Sequence, residues 1–317
     1  MAHELTITNG KAEMFSGQSI RPWHGLGKIV AGLLTAKEAI KEAGLDWQVL
    51  PQTVEVQGKT VPNYQAMTRN DNGTVLSILG KRYTAIQNEE AFDFFDSVIG
   101  EGQAVYDTAG SLSEGRKVWI MAKLKGSLFL ENNPSDTIDK NVLLSTSHDG
   151  TSSLSMMIVS TRVVCANTLS IALGKATNRI NIRHTKNYNS KKDAAMKALG
   201  LCNAYFDNLQ VVINSLSKTS MTKGEMIGFA EKLFPSNEEE ESTRTNNMRN
   251  EVVTLFSRGK GNNGVSRWDA LNAVTEYVDH NRGTRSTTEN KDEGRFTSSM
   301  FGSGYNLKEK AYNLLTA

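Results

Sequence analysis

Apolar residues along this chain change their period three times between Trp47 and Ser190. From Trp47 to Leu79 they alternate with polar ones and are rich in β-branched types (WQVLPQTVEVQ, TVPNYQAMT, TVLSILG), the period of half-buried strands, and Asn72-Gly73 supplies a tight hairpin turn. EEAFDFFDSVIG then sets Ala91, Phe94, Phe95 and Val98 at helical spacing, with Gly100 and Gly102 as the stop. Alternation resumes in AVYDTAGSL, RKVWIMAKL and NVLLSTSHDGTSSLSMMIVSTRVV, where Asp149-Gly150 predicts a second hairpin turn. CANTLSIALG predicts a small-residue helix over 165–173 that ends at Gly174. From Ser190 onward the helical period dominates: Ala195, Ala198, Cys202, Tyr205, Leu209, Val212 and Leu216 form one stripe, opened by a Ser190/Asp193 capping box.

Capping signals fix further boundaries. Thr35 and Glu38 form a box ahead of Ala36, Ala39, Ile40 and Ala43, with Gly44 as the stop. Thr222/Glu225 opens a helix that Pro235 closes, and Ser266/Asp269 opens WDALNAVTEYVDHN. The acidic run Glu238–Glu241 reads as a solvated loop or first turn, and 281–291 as a mobile loop with little to bury. The pattern predicts an α+β fold: an antiparallel β-sheet region with packed helices, then a mainly helical C-terminal region. Three segments follow: an N-terminal arm and short helix over 1–46, an α+β core with a basic ribbon over 47–189, and a helical region over 190–317.

With 317 residues, 38% hydrophobic and 22% charged, the chain has the composition of a globular protein rather than a disordered one. Its longest apolar runs, such as MMIVS and VLSIL, are far short of a bilayer span, and MAHELTITNG lacks the cationic-then-apolar order of a signal peptide. The expectation is a cytoplasmic protein without membrane partners. Cys165 and Cys202 read as reduced core thiols, too few for a disulfide framework or a Cys-rich zinc site.

Net charge is only +2, yet 174–199 holds seven Lys/Arg against the single acid Asp193. A basic ribbon interleaved with Asn, Thr and Tyr188 can meet phosphate oxygens through charge and neutral hydrogen bonds together. The competing reading is a solvated loop and the polar face of a helix. The candidate nucleic-acid-binding residues are Lys175, Arg179, Arg183, Lys186, Tyr188, Lys191 and Lys192, with Arg116 and Lys117 on a hairpin. Trp23 and His24 in PWHGLG, together with His148, form a second candidate motif. Against it stand an aromatic anchor with a turn-capping histidine, and a plain hairpin turn at His148-Asp149-Gly150. The five histidines contain no i, i+4 pair, and HExxH, EF-hand and P-loop patterns are missing, so no metal and no cofactor is expected. No nucleophile elbow, paired-carboxylate pattern or dinucleotide fingerprint supplies catalytic residues, which points to a non-enzymatic protein.

Taken together, MAHEL with PWHGLG, RYTAIQNEEAFDF, HDGTSSL with RVVCANTL, and WDALNAVTEYVDH with FGSG resemble the phage/plasmid-like family designated domain of unknown function 932. The resemblance runs from Met1 to about Leu315. It implies a phage or plasmid protein made in bacterial cytoplasm, and it brings no catalytic residues. A fainter likeness, of element order only, links 88–199 to phage strand-annealing proteins of the Redβ and Erf type. The expected function is binding of single-stranded DNA in replication or recombination, strand annealing included, by a homo-oligomer. The main competing reading is a protein-interaction module that inhibits or redirects a host factor, which the near-neutral charge and the acidic run fit better. A third is a nucleotide- or nucleic-acid-modifying enzyme with a site around Trp23, His24 and His148.

Overall fold

Alternation becomes antiparallel sheet in the computed structural model of the chain, which describes residues 6–8, 11–16, 28–30, 34–99, 104–162, 167–169, 179–182, 188–236, 242–283, 298–300 and 302–317. In chain order the elements are β1 (Ile7–Thr8), β2 (Lys11–Ala12), β3 (Met14–Ser16), β4 (Lys28–Ile29), α1 (Ala36–Glu42), β5 (Val49–Val56), β6 (Lys59–Arg69), β7 (Val75–Gly80), α2 (Asn88–Ile99) and β8 (Ala104–Leu112). Then come β9 (Lys117–Leu130), β10 (Asn133–Ser147), β11 (Leu154–Arg162), β12 (Asn167–Leu169), β13 (Arg179–Ile182) and α3 (Tyr188–Lys218). The C-terminal helices are α4 (Lys223–Leu233), α5 (Thr243–Arg258), α6 (Arg267–Glu276) and α7 (Ser303–Thr316), with a π-turn at Tyr277–Asn281. The fold is α+β with a helical C-terminal region.

The chain divides into two compact units, the first made of Met1–Lys125, Asn141–Met157 and Arg179–Cys202, the second of Gly126–Lys140, Ile158–Asn178 and Asn203–Ala317. A change of periodicity marks where element type switches, whereas β9, β10, β11 and α3 are each long enough to belong to both units.

In the first unit β5, β6 and β7 form a three-stranded antiparallel sheet, with Val49 opposite Arg69 and Thr68 opposite Val75. The turn before β7 holds Gly73 at φ +73°, the left-handed geometry for which the Asn-Gly pair is suited. The larger sheet runs β12-β11-β10-β9-β8-β3-β4, with β13 paired to β11. Its N-terminal strand β3 was not anticipated: Met14 and Phe15 are buried and lie beside Gly110 and Ala109 of β8. Gly110 is required there, because a Cβ would come within 2.9 Å of the Glu13 carbonyl. Ala39 of α1 and Phe92 and Phe95 of α2 are fully buried, and Tyr106 of β8 packs 6.1 Å from both phenylalanine rings. Burial, with the hydrogen bond the Tyr106 hydroxyl donates to Asp96, pushes that phenol well above its ordinary range.

In the second unit side-chain amides complete the tip of the β9–β10 hairpin. Gln210 of α3 accepts from the Phe129 N–H and donates to its carbonyl, and Asn214, one turn on, accepts from the Glu131 N–H and donates to its carboxylate. Helix α6 is buried from Trp268 to Glu276, so its polar residues find partners on the chain itself: Asn272 donates to the Trp268 carbonyl and Thr275 to that of Asn272. The capping boxes at Thr35, Thr222 and Ser266 form as expected.

Two expectations are corrected. Asn167–Leu169 is not helical but a strand, set antiparallel with Leu169 opposite Ser160 and Asn167 opposite Arg162. A nine-residue helix is marginal without tertiary packing, whereas pairing satisfies the open edge of β11. Helix α3 starts at Tyr188, so Ser190 lies inside its first turn, a displacement of the size that helix ends commonly show. The acidic run 238–241 and most of the expected loop, from 284 onward, lie outside the described residues.

Candidate functional site

Of the basic ribbon, Lys175, Arg183 and Lys186 lie outside the described residues, as do Trp23 and His24. Arg179 opens β13, half-buried, opposite Met157 of β11, and Asn181, next on the same face, is exposed. The sequence RINI explains the strand, since its polar and β-branched residues alternate. Tyr188, Lys191 and Lys192 occupy positions i, i+3 and i+4 at the start of α3, the spacing of one helix face, and Lys197 further along is exposed.

Arg116 and Lys117 are brought close to His148. They follow the β8–β9 connection, and the Arg116 carbonyl accepts the His148 N–H at 2.8 Å. The Arg116 side chain is 44% exposed and 3.8 Å from the Glu114 carboxylate. Lys117 is exposed; burial raises the neighbouring Asp149 carboxyl, but hydrogen bonds from Thr151 and Ser147 and the charge of Lys117 outweigh it and hold the group below its ordinary value. His148 itself is fully buried. Its Nε2 is 3.0 Å from Asn88 Oδ1 and its ring meets Trp47 edge-on at 5.4 Å. Asn88 in turn donates to the Leu45 carbonyl.

Beneath this connection lies a buried polar cluster that the sequence did not disclose. Arg69, at the end of β6, donates through Nη2 to Glu13 at 2.5 Å and to Asp71 at 2.7 Å, through Nε to Asp71, and through Nη1 to the Glu114 carbonyl at 3.3 Å. Its guanidinium sits 4.2 Å from the centre of the Trp47 ring, and Ser111 donates to Glu13 at 2.6 Å. Desolvation disfavours the buried cation, but the hydrogen bonds it donates to the Asp71 and Glu13 carboxylates, with their charges, outweigh this and hold Arg69 above its ordinary range. The connection above is left-handed through Ser113, Glu114 and Gly115, at φ 53°, 63° and 97°. At Gly115 a Cβ would stand 2.9 Å from Trp47 Cζ2, so only glycine fits. The cluster therefore fixes the backbone that carries Arg116 and Lys117. The available signal was period two: Arg69 shares its strand face with Met67, facing inward where a cation needs a buried partner.

At the centre of the cluster Glu13 and Arg69 are buried and hydrogen-bonded to each other, an arrangement that rigidifies, while Asp71 at its edge reaches solvent. Among the described residues no group of three or more His, Cys, Asp or Glu side chains is placed to hold a metal ion, and no helix is long and apolar enough to cross a membrane. A family model described as Domain of unknown function (DUF932) matches residues 75–300. The chain belongs to this family. The DUF932 span runs from β7 into the residues before α7; it includes Arg116, Lys117, His148 and the whole ribbon, and leaves out Glu13, Trp47 and Arg69. No curated protein and no solved structure matches the chain.

Proposed function

We propose that this DUF932 protein binds single-stranded DNA for a phage or plasmid, in replication or recombination, and that it does so as a homo-oligomer in the host cytoplasm. The observation that carries the reading is β13. Among the described strands it pairs with β11 alone, and on this part of the ribbon Asn181 is exposed and Arg179 half-exposed. A cation beside an exposed side-chain amide suits phosphate oxygens. Arg116 and Lys117, on a connection held rigid by Arg69, supply further cations that need no ordering on binding.

The experiment is titration of a fluorescent oligo-dT at several salt concentrations. Each ribbon cation on a phosphate contributes a slope of roughly −0.7 in log K against log salt. Arg179→Glu/Arg183→Glu/Lys186→Glu should flatten the slope and weaken binding to every sequence alike. Unchanged affinity in the folded triple variant would overturn the reading.

A protein-interaction module is the second reading, and one observation favours it. The outward face of the β5–β6–β7 sheet exposes Leu50, Tyr64, Val75 and Ile78, with Leu50, Thr68 and Val75 in register across it. That reading predicts that the triple variant still binds its host partner.

A further inference from the structure

Within the second unit an open cleft of about 500 Å³ is lined by Arg244, Asn247, Met248 and Glu251 of α5 and by Tyr277, Arg282 and Gly283 at the two ends of the π-turn. The first four residues stand at i, i+3, i+4 and i+7, so they form a single stripe along α5, while Val252 and Phe256 bury a different part of the same helix. The cleft thus presents two guanidinium groups against one carboxylate. Tyr277 belongs to its wall, only 4% exposed, with its ring edge-on to Phe234 at 5.9 Å. Burial pushes the Tyr277 phenol up; the charges of Arg282 and Arg244 oppose that rise and the charge of Glu251 adds to it.

The wall is built to stay in place. Asp279, inside the π-turn, accepts from Lys308 Nζ at 2.6 Å and from Ser299 Oγ at 2.5 Å, and Lys308, about 1% exposed, also donates to Ser299 at 2.7 Å. Burial alone lowers the Lys308 ammonium, and only Asp279 opposes that. Breaking such a buried pair leaves a charge without its partner, so Lys308 of α7 and Asp279 of the π-turn are held together. The pair fixes a π-turn, an irregularity that is rare and concentrated at functional sites. Gly304 of α7 presses against the same turn, where a Cβ would lie 2.8 Å from Val278 Cγ1.

We propose that this cleft binds a phosphomonoester on a nucleotide-sized body: Arg244 and Arg282 hold the phosphate, the Met248 and Tyr277 side chains carry the apolar part, and Glu251 and Asn247 meet hydroxyl or amino groups. Guanidinium forks match phosphate oxygens, and the volume suits a mononucleotide. Glu251 opposes a bare anion, so the site favours a ligand that combines phosphate with donor groups. The phosphomonoester comes either from a free nucleotide or from the 5′ end of a DNA strand. The inference is independent of the ribbon, which would read internal phosphates.

Calorimetric titration of the full chain decides it, with dAMP, deoxyadenosine, and oligo-dT with and without a 5′-phosphate as probes. Saturable dAMP binding, weakened at least about tenfold by removing the phosphate and by Arg244→Ala, is the expected result. Arg244 is exposed in the first turn of α5 and the cap there is Ser242, so the variant keeps its fold, which a melting curve verifies. A preference for 5′-phosphorylated oligo-dT over dAMP, lost in Arg244→Ala, supports the site with a strand end as ligand. Arg244→Ala should leave the salt slope of unphosphorylated oligo-dT untouched, so failure here and failure of the ribbon are distinguishable. No saturation by either dAMP or 5′-phosphorylated oligo-dT at millimolar concentration, no loss of affinity when the phosphate is removed from either probe, or unchanged binding in Arg244→Ala overturns the proposal.

Discussion

Glu13 and Arg69, 56 positions apart in the chain, meet in a buried ion pair in which Arg69 Nη2 donates at 2.5 Å to one carboxylate oxygen and Nη1 at 3.2 Å to the other. Both side chains are at most 5% exposed, and the Trp47 ring closes one face of the guanidinium. The pair ties the residue before β3 to the end of β6, so the N-terminal strand is held in the first unit by more than its short ladder.

Breaking this pair leaves one charge buried without its partner. Arg69→Ala is expected to cost about 3–5 kcal/mol, read from urea unfolding. The double variant Glu13→Leu/Arg69→Met, which removes both charges and keeps the volume, should lose less than the single variant. Equal stability of parent and Arg69→Ala would show that the pair contributes nothing.

Gly115→Ala should destabilise by more than about 1 kcal/mol, since it combines a left-handed backbone at φ 97° with a Cβ driven to 2.9 Å from Trp47. Gly73→Ala, equally left-handed but with nothing within 4 Å, should cost less. Thermal melts of the two compare strain with and without a clash, and a reversed order would refute the steric account.

Acid stability should depend on Asp71. Its hydrogen bond from Arg69 holds the carboxyl below the ordinary value of 3.8, so between the folded value and 3.8 the unfolded chain binds more protons. This stabilisation is complete above 3.8 and is lost as pH falls through the folded value. Asp71→Asn is therefore expected to be less stable near neutrality and to show a shallower decline between roughly pH 4 and pH 2. Parallel unfolding curves for parent and variant across that range would contradict the assignment.

Cys202 is fully buried on α3, and burial pushes its thiol up to about 12. Alkylation needs thiolate, so iodoacetamide at pH 8 should leave the Cys202 peptide unmodified in the native protein and modify it in urea, as followed by mass spectrometry. Rapid native labelling would mean that α3 opens around that position.

Much of the fold was legible because it is written locally. The Asn72-Gly73 turn, the glycine at 150, the caps at Thr35, Thr222 and Ser266 and the long stripe of α3 each depend on residues within a few positions of one another. β12 was misread because its three residues carry no decisive period and owe their conformation to the edge of β11. β3 was missed for a related reason: Met14–Ser16 is too short to alternate visibly. The cleft was half legible. Arg244, Asn247, Met248 and Glu251 are helically spaced, but nothing local distinguishes a stripe that lines a cleft from one that faces solvent.

The sequence by itself determined most element types, the hairpin turns, the helix starts capped at Thr35, Thr222 and Ser266 and the clustering of cations over 174–199, because periodicity, turn chemistry and capping act over one to four residues. Tertiary structure alone decided that Arg69 faces Glu13, that Lys308 is buried against Asp279, and that the ends of the π-turn approach α5. The two ion pairs join residues 29 and 56 positions apart, and the π-turn and α5 are separate elements of the chain. Their energies depend on desolvation and on fixed distance, and both exist only once the chain has packed.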